Sequence, residues 1–267
     1  MLLYKYLTFD AAARVLDNNS IGFSQPQYFN DPFDMPSYPD EGFGNSIEQM
    51  LSHVQIMGKN MIWAENTGIL SLTRTPTNPL MWAHYAQNHY GVVIGIDAIK
   101  AGLADEQSNL IPAQYGSVIY VSRRSPSPFV TQPQAGLQVG GTHHFPNAHY
   151  EKLQRLFLHK PICWAYEEEV RVVKCIRDVS PATPTTPSGT FDVVFVHDRP
   201  MYLFKLPPNS IKEIYFGFRS ADNLSDELYK RAIDAHDGLK VRQCNLNAGE
   251  LTVGHEDYTP LSEIYSI

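Results

Sequence analysis

The sequence predicts an α+β fold, one domain of many short strands with few helices and long loops. Three observations carry that prediction. Short apolar or alternating stretches recur along the whole chain, the candidate helices between them are few and amphipathic, and segments rich in Pro, Gly, Ser and Asn interrupt the pattern repeatedly. The 267 residues show no internal repeat and no clean linker, so residues 1–267 are assigned to a single domain.

Residues 2–7 alternate apolar and mixed side chains and form the first strand. Thr8 or Asp10 caps a helix over residues 11–17, with Ala12, Val15 and Leu16 facing inward. Residues 21–24 form a short second strand. The segment Gln25-Pro26-Gln27-Tyr28-Phe29-Asn30-Asp31-Pro32-Phe33-Asp34 is rich in turn formers, because Asn and Asp hydrogen-bond their own backbone and Pro fixes φ. It is either an aromatic-anchored loop or a loop that lies over a ligand. Ser46 caps a helix that runs to about residue 59. Residues 67–73 form a strand and residues 74–79 a turn.

Residues 80–90 follow as a helix stopped at Gly91, which places Trp82, Tyr85, Ala86 and His89 on one face and His84 and Asn88 on another. His84 and His89 do not have the four-residue spacing of a helical metal pair, so no metal is expected. The uniformly apolar residues 92–97 form a central strand. After a short strand over 119–121, residues 123–146 make a long excursion whose basic spot is Arg123-Arg124. A helix over 149–159 stops at Lys160-Pro161. A second polar excursion, 178–189, leads to three strands, 191–195, 202–206 and 211–217. The chain closes with a helix over 224–235, capped by Ser225 or Asp222, and a hairpin of 240–246 and 250–253 around Asn247-Ala248-Gly249.

The stretch Trp164-Ala165-Tyr166-Glu167-Glu168-Glu169-Val170-Arg171, running on into Val172-Val173-Lys174-Cys175, reads as a strand. Alternation puts Glu167, Glu169, Arg171 and Val173 on one face. Two like charges side by side raise each other's pKa, and the arginine offsets that. The bland alternative is an exposed edge strand whose charges deter aggregation and whose ion pairs contribute little.

A net charge of −7 excludes a broad basic surface for duplex nucleic acid. Cys163, Cys175 and Cys244 contain no C-x-x-C pair, which excludes a disulfide framework and a zinc site and fits a reducing, cytoplasmic setting. No apolar run approaches the ~20 residues of a membrane span.

Four blocks taken together resemble an uncharacterised bacterial domain family. They are Tyr4-Lys5-Tyr6; Phe29-Asn30-Asp31-Pro32-Phe33-Asp34; Met81-Trp82-Ala83-His84-Tyr85-Ala86 with Gly91; and Lys160 through Trp164, Tyr166, Glu167, Glu169 and Arg171. That layout is similar to ADP-ribosyltransferases, including toxins that modify nucleic acids. Where better-known members carry His-Gly-Thr and Ser-Thr-Ser strands, this chain has Tyr4-Lys5-Tyr6 and the looser Leu70-Ser71-Leu72-Thr73.

The resemblance implies an ADP-ribosyltransferase-like fold, with a split β-sheet core of short, mostly antiparallel strands, peripheral helices and long loops. It also implies NAD as substrate, a macromolecular acceptor (protein or single-stranded nucleic acid), and a role as a toxin or phage-defence effector with an antitoxin partner. It implies a catalytic set of Glu169, Glu167 and Arg171. On that reading Lys5 contacts the pyrophosphate or ribose, Tyr6, Tyr85 or Phe33 stacks on nicotinamide, Asn30 and Asp31 close a loop over the adenosine or the target, and Ser71, Trp82 and His84 complete the cofactor-binding set. The plain alternatives stay open: Lys5 as a solvent-exposed strand residue, Asn30-Asp31-Pro32 as a structural turn, Trp82 as core. So do a glycohydrolase or nuclease using the same glutamates and a non-enzymatic interaction domain.

Overall fold

The computed structural model describes residues 1–31, 33–34, 61–123 and 153–264. Its main sheet has 11 strands. In chain order they are β1 (Leu2–Leu7), β2 (Ser20–Ser24), β3 (Thr67–Thr73), β4 (Val92–Asp97), β7 (Glu169–Cys175), β8 (Thr185–Thr186), β9 (Gly189–Val196), β10 (Arg199–Lys205), β11 (Ile211–Phe216), β12 (Lys240–Asn247) and β13 (Thr252–Asp257). The order across the sheet is β13-β12-β11-β4-β1-β3-β2-β10-β9-β8, with β7 on β3. The β11–β12 pair is parallel and is joined, as parallel pairing requires, by a crossover helix over Asp222–Ala235. A separate parallel pair joins β5 (Ile119–Val121) to β6 (His159–Pro161).

The pairing around β3 sets where the sheet opens. β7 pairs with β3 along its whole length, from Thr67↔Cys175 to Thr73↔Glu169. The opposite edge of β3 is shared by two strands. β1 meets it only at Tyr4↔Thr73 and β2 only at Ser24↔Ile69. Between those two points β1 and β2 diverge, and the sheet opens as a wedge beside Ser71. The Lys5 ammonium donates to the Ser71 carbonyl there at 2.8 Å, which supplies the β3 edge with a side-chain hydrogen bond.

The hydrophobic core lies against the sheet. It includes Leu3, Ile21, Phe23, Leu70, Leu72, Ile94, Val170, Val172 and Ile214. Helix α1 (Phe9–Asn18) adds Ala12, Val15 and Leu16 to it, and Thr8 caps α1 by accepting from the Ala11 N–H. Helix α2 (Pro79–Tyr85) starts with Pro79 in the first turn, and Asn78 accepts from the Leu80 and Met81 N–H groups. The Asp222–Ala235 helix is preceded by Ala221 and has no side-chain cap, so neither Ser225 nor Asp222 acts as one.

Several expectations are corrected. The strand expected from Trp164 begins only at Glu169. Ile162–Glu167 wind into a 3-10 helix that ends where Glu168 turns left-handed, at φ 46°. Nor is this strand an exposed edge: Glu169, Arg171 and Lys174 are buried. Residues 110–118 cover its free side through Leu110 N–H to Val173 O, Val118 N–H to Glu169 O and Arg171 N–H to Gly116 O.

The helix expected over 80–90 stops at Tyr85, because Gln87, Asn88 and His89 all take positive φ. Residues 153–157 are helical, but His159 already belongs to β6. The helix expected over 46–59 lies outside the described residues, as does most of the 123–146 excursion, Arg124 included.

Gly116 is the tightest point of that cover. A Cβ there would fall 1.9 Å from the Arg171 carbonyl oxygen. Gly116→Ala is therefore expected to cost about 1–3 kcal/mol through overpacking. Gly249→Ala, at an exposed site with only ordinary contact nearby, is expected to stay within about 0.5 kcal/mol. Urea unfolding of both variants checks this, and equal effects would contradict it.

Candidate functional site

The wedge holds a cavity of about 320 Å³. β1 contributes Tyr4, Lys5 and Tyr6; β2 and the turn after it contribute Ser24, Tyr28, Phe29, Asn30 and Asp34; β3 contributes Ser71; and α2 contributes Met81 and Tyr85. Lys160, Glu167 and Glu169 form the charged side. The size is at the small end of the range for ligand clefts.

A buried ion network forms the floor. Arg171, 1% exposed, donates from Nε to Glu169 Oε1 at 2.8 Å and from Nη2 to Asp34 Oδ1 at 2.7 Å. Its Nη1 donates to the Phe157 carbonyl at 2.8 Å, and the Phe29 ring lies beneath it at 5.5 Å. Lys160 donates to Glu167 Oε2 at 2.5 Å and Glu169 Oε2 at 3.0 Å, with Asp34 Oδ2 at 3.8 Å. The Tyr85 hydroxyl donates to Glu167 Oε1 at 2.6 Å, and the Tyr120 hydroxyl accepts from the Glu169 N–H at 2.9 Å. With Lys5 included, Lys5, Lys160 and Arg171 face Asp34, Glu167 and Glu169, so the cluster is formally neutral. Buried charges persist only when paired in this way.

The two glutamates titrate differently. Burial alone would raise Glu169, but the Arg171 guanidinium and the Lys160 ammonium outweigh it and hold its carboxyl well below the usual carboxylate range. Burial does prevail at Glu167, which is pushed up despite Lys160 and Tyr85. It prevails also at Asp34, which is raised against the pull of Arg171 and Lys160. Burial pushes the Lys5 ammonium down, against the attraction of Glu169 and Glu167. For Lys160 the three carboxylates overcome burial and raise it. A pair of carboxylates with environments that separate their pKa values is the arrangement that assigns one a fixed charge and the other a movable proton.

The network gathers much of the set expected from sequence. Lys5, Tyr6, Asn30, Ser71, Tyr85, Glu167 and Glu169 line the cavity, and Arg171 holds the floor from behind. Four residues fall elsewhere. Asp31 does not line it; its carboxylate accepts from the Phe33 N–H at 2.9 Å and shapes the turn that returns Asp34 to Arg171. Phe33 is 64% exposed and off the cavity. Trp82 is fully buried against Tyr6, with its indole N–H on the Pro76 carbonyl, and acts as core. His84 is exposed beside Tyr166, at 6.2 Å.

Asp34, Lys160 and Tyr120 went unassigned as site residues in the sequence. Asp34 and Lys160 lie inside the quoted blocks, which was the available signal; for Tyr120 there was none. Among the described residues no group of three or more His, Cys, Asp or Glu is arranged to hold a metal ion, and each floor carboxylate is matched instead by Lys160 or Arg171.

A family model described as a protein of unknown function (DUF2971) matches residues 81–172. That span takes in Tyr85, Lys160, Glu167, Glu169 and Arg171; the Tyr4–Tyr6 and Phe29–Asp34 blocks lie outside it. No curated protein matches the chain, and no solved structure does. Among the described residues no helix is long and apolar enough to cross a membrane.

Removing one partner of a buried ion pair typically costs about 3–5 kcal/mol. Arg171→Met is expected to lose that much at pH 7, since Glu169 and Asp34 are left without their guanidinium. Glu169's depressed pKa stabilises the fold above the ordinary carboxylate pKa, and that stabilisation fades as pH falls toward the depressed value. In the variant only Lys160 remains to hold Glu169 and Asp34 ionised, the depression is relieved and the carboxylates take up protons more readily, so its deficit should shrink on acidification. Denaturant unfolding from pH 7 down to pH 4 checks this; a deficit independent of pH would contradict it.

Proposed function

We propose that the chain is an NAD-dependent ADP-ribosyltransferase acting on a macromolecule, a protein or a single-stranded nucleic acid. The observation that supports this most is the split carboxylate pair, Glu169 held ionised and Glu167 pushed up, side by side on the wall of one cavity.

Cleaving the nicotinamide–ribose bond sends its electron pair to the ring nitrogen and leaves positive charge on the ribose. A fixed negative charge close to that carbon stabilises the transition state and needs no reorganisation to do so. Glu169 has that property, because Arg171 and Lys160 keep it charged and immobile. An acceptor nucleophile then attacks the ribose carbon and gives up its proton. Glu167 is suited to receive it: burial raises its pKa and makes its carboxylate the more basic of the two, and the Tyr85 hydroxyl fixes one oxygen.

The rings of Tyr6, Tyr85 and Phe29 on the cavity wall offer faces for nicotinamide. The same machinery with water as the acceptor would make the chain an NAD glycohydrolase.

The test is nicotinamide release from NAD, followed by mass spectrometry, alongside thermal shift with NAD. Glu167→Gln should retain the NAD-dependent stabilisation while release falls by at least ~10²-fold. The wild-type rate should rise with pH through an acid limb lying above the ordinary carboxylate range, and Glu167→Gln should abolish that limb. An unchanged rate in Glu167→Gln, or a wild-type protein that NAD does not stabilise, would overturn the assignment.

A further inference from the structure

The cavity floor is a poor place for a phosphate. Lys160 and Arg171 are engaged by Asp34, Glu167 and Glu169, and Lys5 is tied to the Ser71 carbonyl. An anion brought there would meet three carboxylates.

A cation of another kind stands at the rim. β2 ends at Ser24, a cavity-lining residue, and β10 pairs Met201 with it. β10 begins two residues earlier, at Arg199, so it runs past the end of β2 toward the turn that follows. There the Arg199 guanidinium lies 5.6 Å from the centre of the Tyr28 ring, and Tyr28 itself lines the cavity. Arg199 is exposed, and among the described residues no carboxylate pairs with it. Stacking on a ring fixes the plane of a guanidinium and leaves its N–H fork free for a bidentate anion. The tight turn just before it holds the strand end in place, with His197 and Asp198 both left-handed, at φ 49° and 60°.

Resting on the NAD reading, we propose that Arg199, stacked on Tyr28, receives the pyrophosphate of NAD at the cavity mouth. NAD then enters by its nicotinamide–ribose end. Its uncharged and cationic parts meet the floor, and its phosphates stay at the rim. Charge is thus sorted along the cavity: the floor suits the positive charge that develops on the ribose, and the rim suits the negative diphosphate.

Isothermal titration of the full chain with ADP-ribose and with NAD tests this, using wild type, Arg199→Gln and Arg199→Lys. Arg199→Gln should raise both dissociation constants by about 10- to 100-fold, the usual consequence of losing hydrogen bonds to a charged group. Arg199→Lys should recover only part, because it keeps the charge without the fork. The melting temperature should not move, since the side chain is exposed.

Equal affinity of Arg199→Gln and wild type for ADP-ribose would overturn the proposal. Arg199-dependent binding of ADP-ribose by a protein that does not cleave NAD would overturn the enzymatic reading while supporting the phosphate site. A wild type that binds neither ligand would overturn both.

Discussion

Arg171 is a guanidinium almost wholly out of water, and most of the site can be read as the set of groups it requires. A charge so buried persists only with partners on every side of its fork. Those partners come from far apart in the chain: Glu169 from the same strand, Asp34 from 137 residues away, and the Phe157 carbonyl from the helical turn before β6. Meeting them draws Asp34, the 153–157 helix and β7 to one point. Lys160 extends the set to Glu167, and Glu167 ties it to α2 through Tyr85. Network and cavity wall are thus one construction.

The second constraint is the divided edge of β3. A continuous pairing of β1 with β3 would have closed the sheet over Ser71. Because β1 and β2 each hold β3 at a single point, the sheet keeps an opening lined by both strands. Lys5 and Ser71 sit where ladder hydrogen bonds would otherwise run, so the polar groups in the wedge are partly those that any sheet must satisfy. A charged floor of zero net charge, reached through aromatic walls, favours a ligand whose reacting part is neutral or becomes positive.

Local features were the most legible in the sequence. The cap at Thr8, the central apolar strand Val92–Asp97 and the C-terminal hairpin follow from spacing and turn chemistry; the Asn78 cap, inside a stretch read only as a turn, does not. The convergence of Glu167, Glu169 and Arg171 was also legible, though for a partly mistaken reason. Strand alternation assigned them one face, but Glu167 lies in a 3-10 turn and reaches Glu169 through Lys160.

Burial of the strand was not legible. A run of three glutamates looks solvent-facing until its counter-charges are found, and Asp34 lies too distant in sequence for any local pattern to pair it with Arg171. The split in the β3 edge is likewise a matter of long-range register. Trp82 and His84 show the limit of a motif: in the same short helix as Met81 and Tyr85, they point to the core and to solvent, while Met81 and Tyr85 reach the cavity.

The proposed chemistry depends on one cavity pushing the pKa values of two neighbouring glutamates in opposite directions. Carbon-detected NMR of carboxyl-labelled glutamate, assigned with Glu167→Gln and Glu169→Gln, measures it directly. Glu167 is expected to titrate above the ordinary value of about 4.3, whereas Glu169 remains ionised well below it. Two carboxylates titrating together near the ordinary value would contradict it, and with it the division of labour on which the proposed chemistry depends.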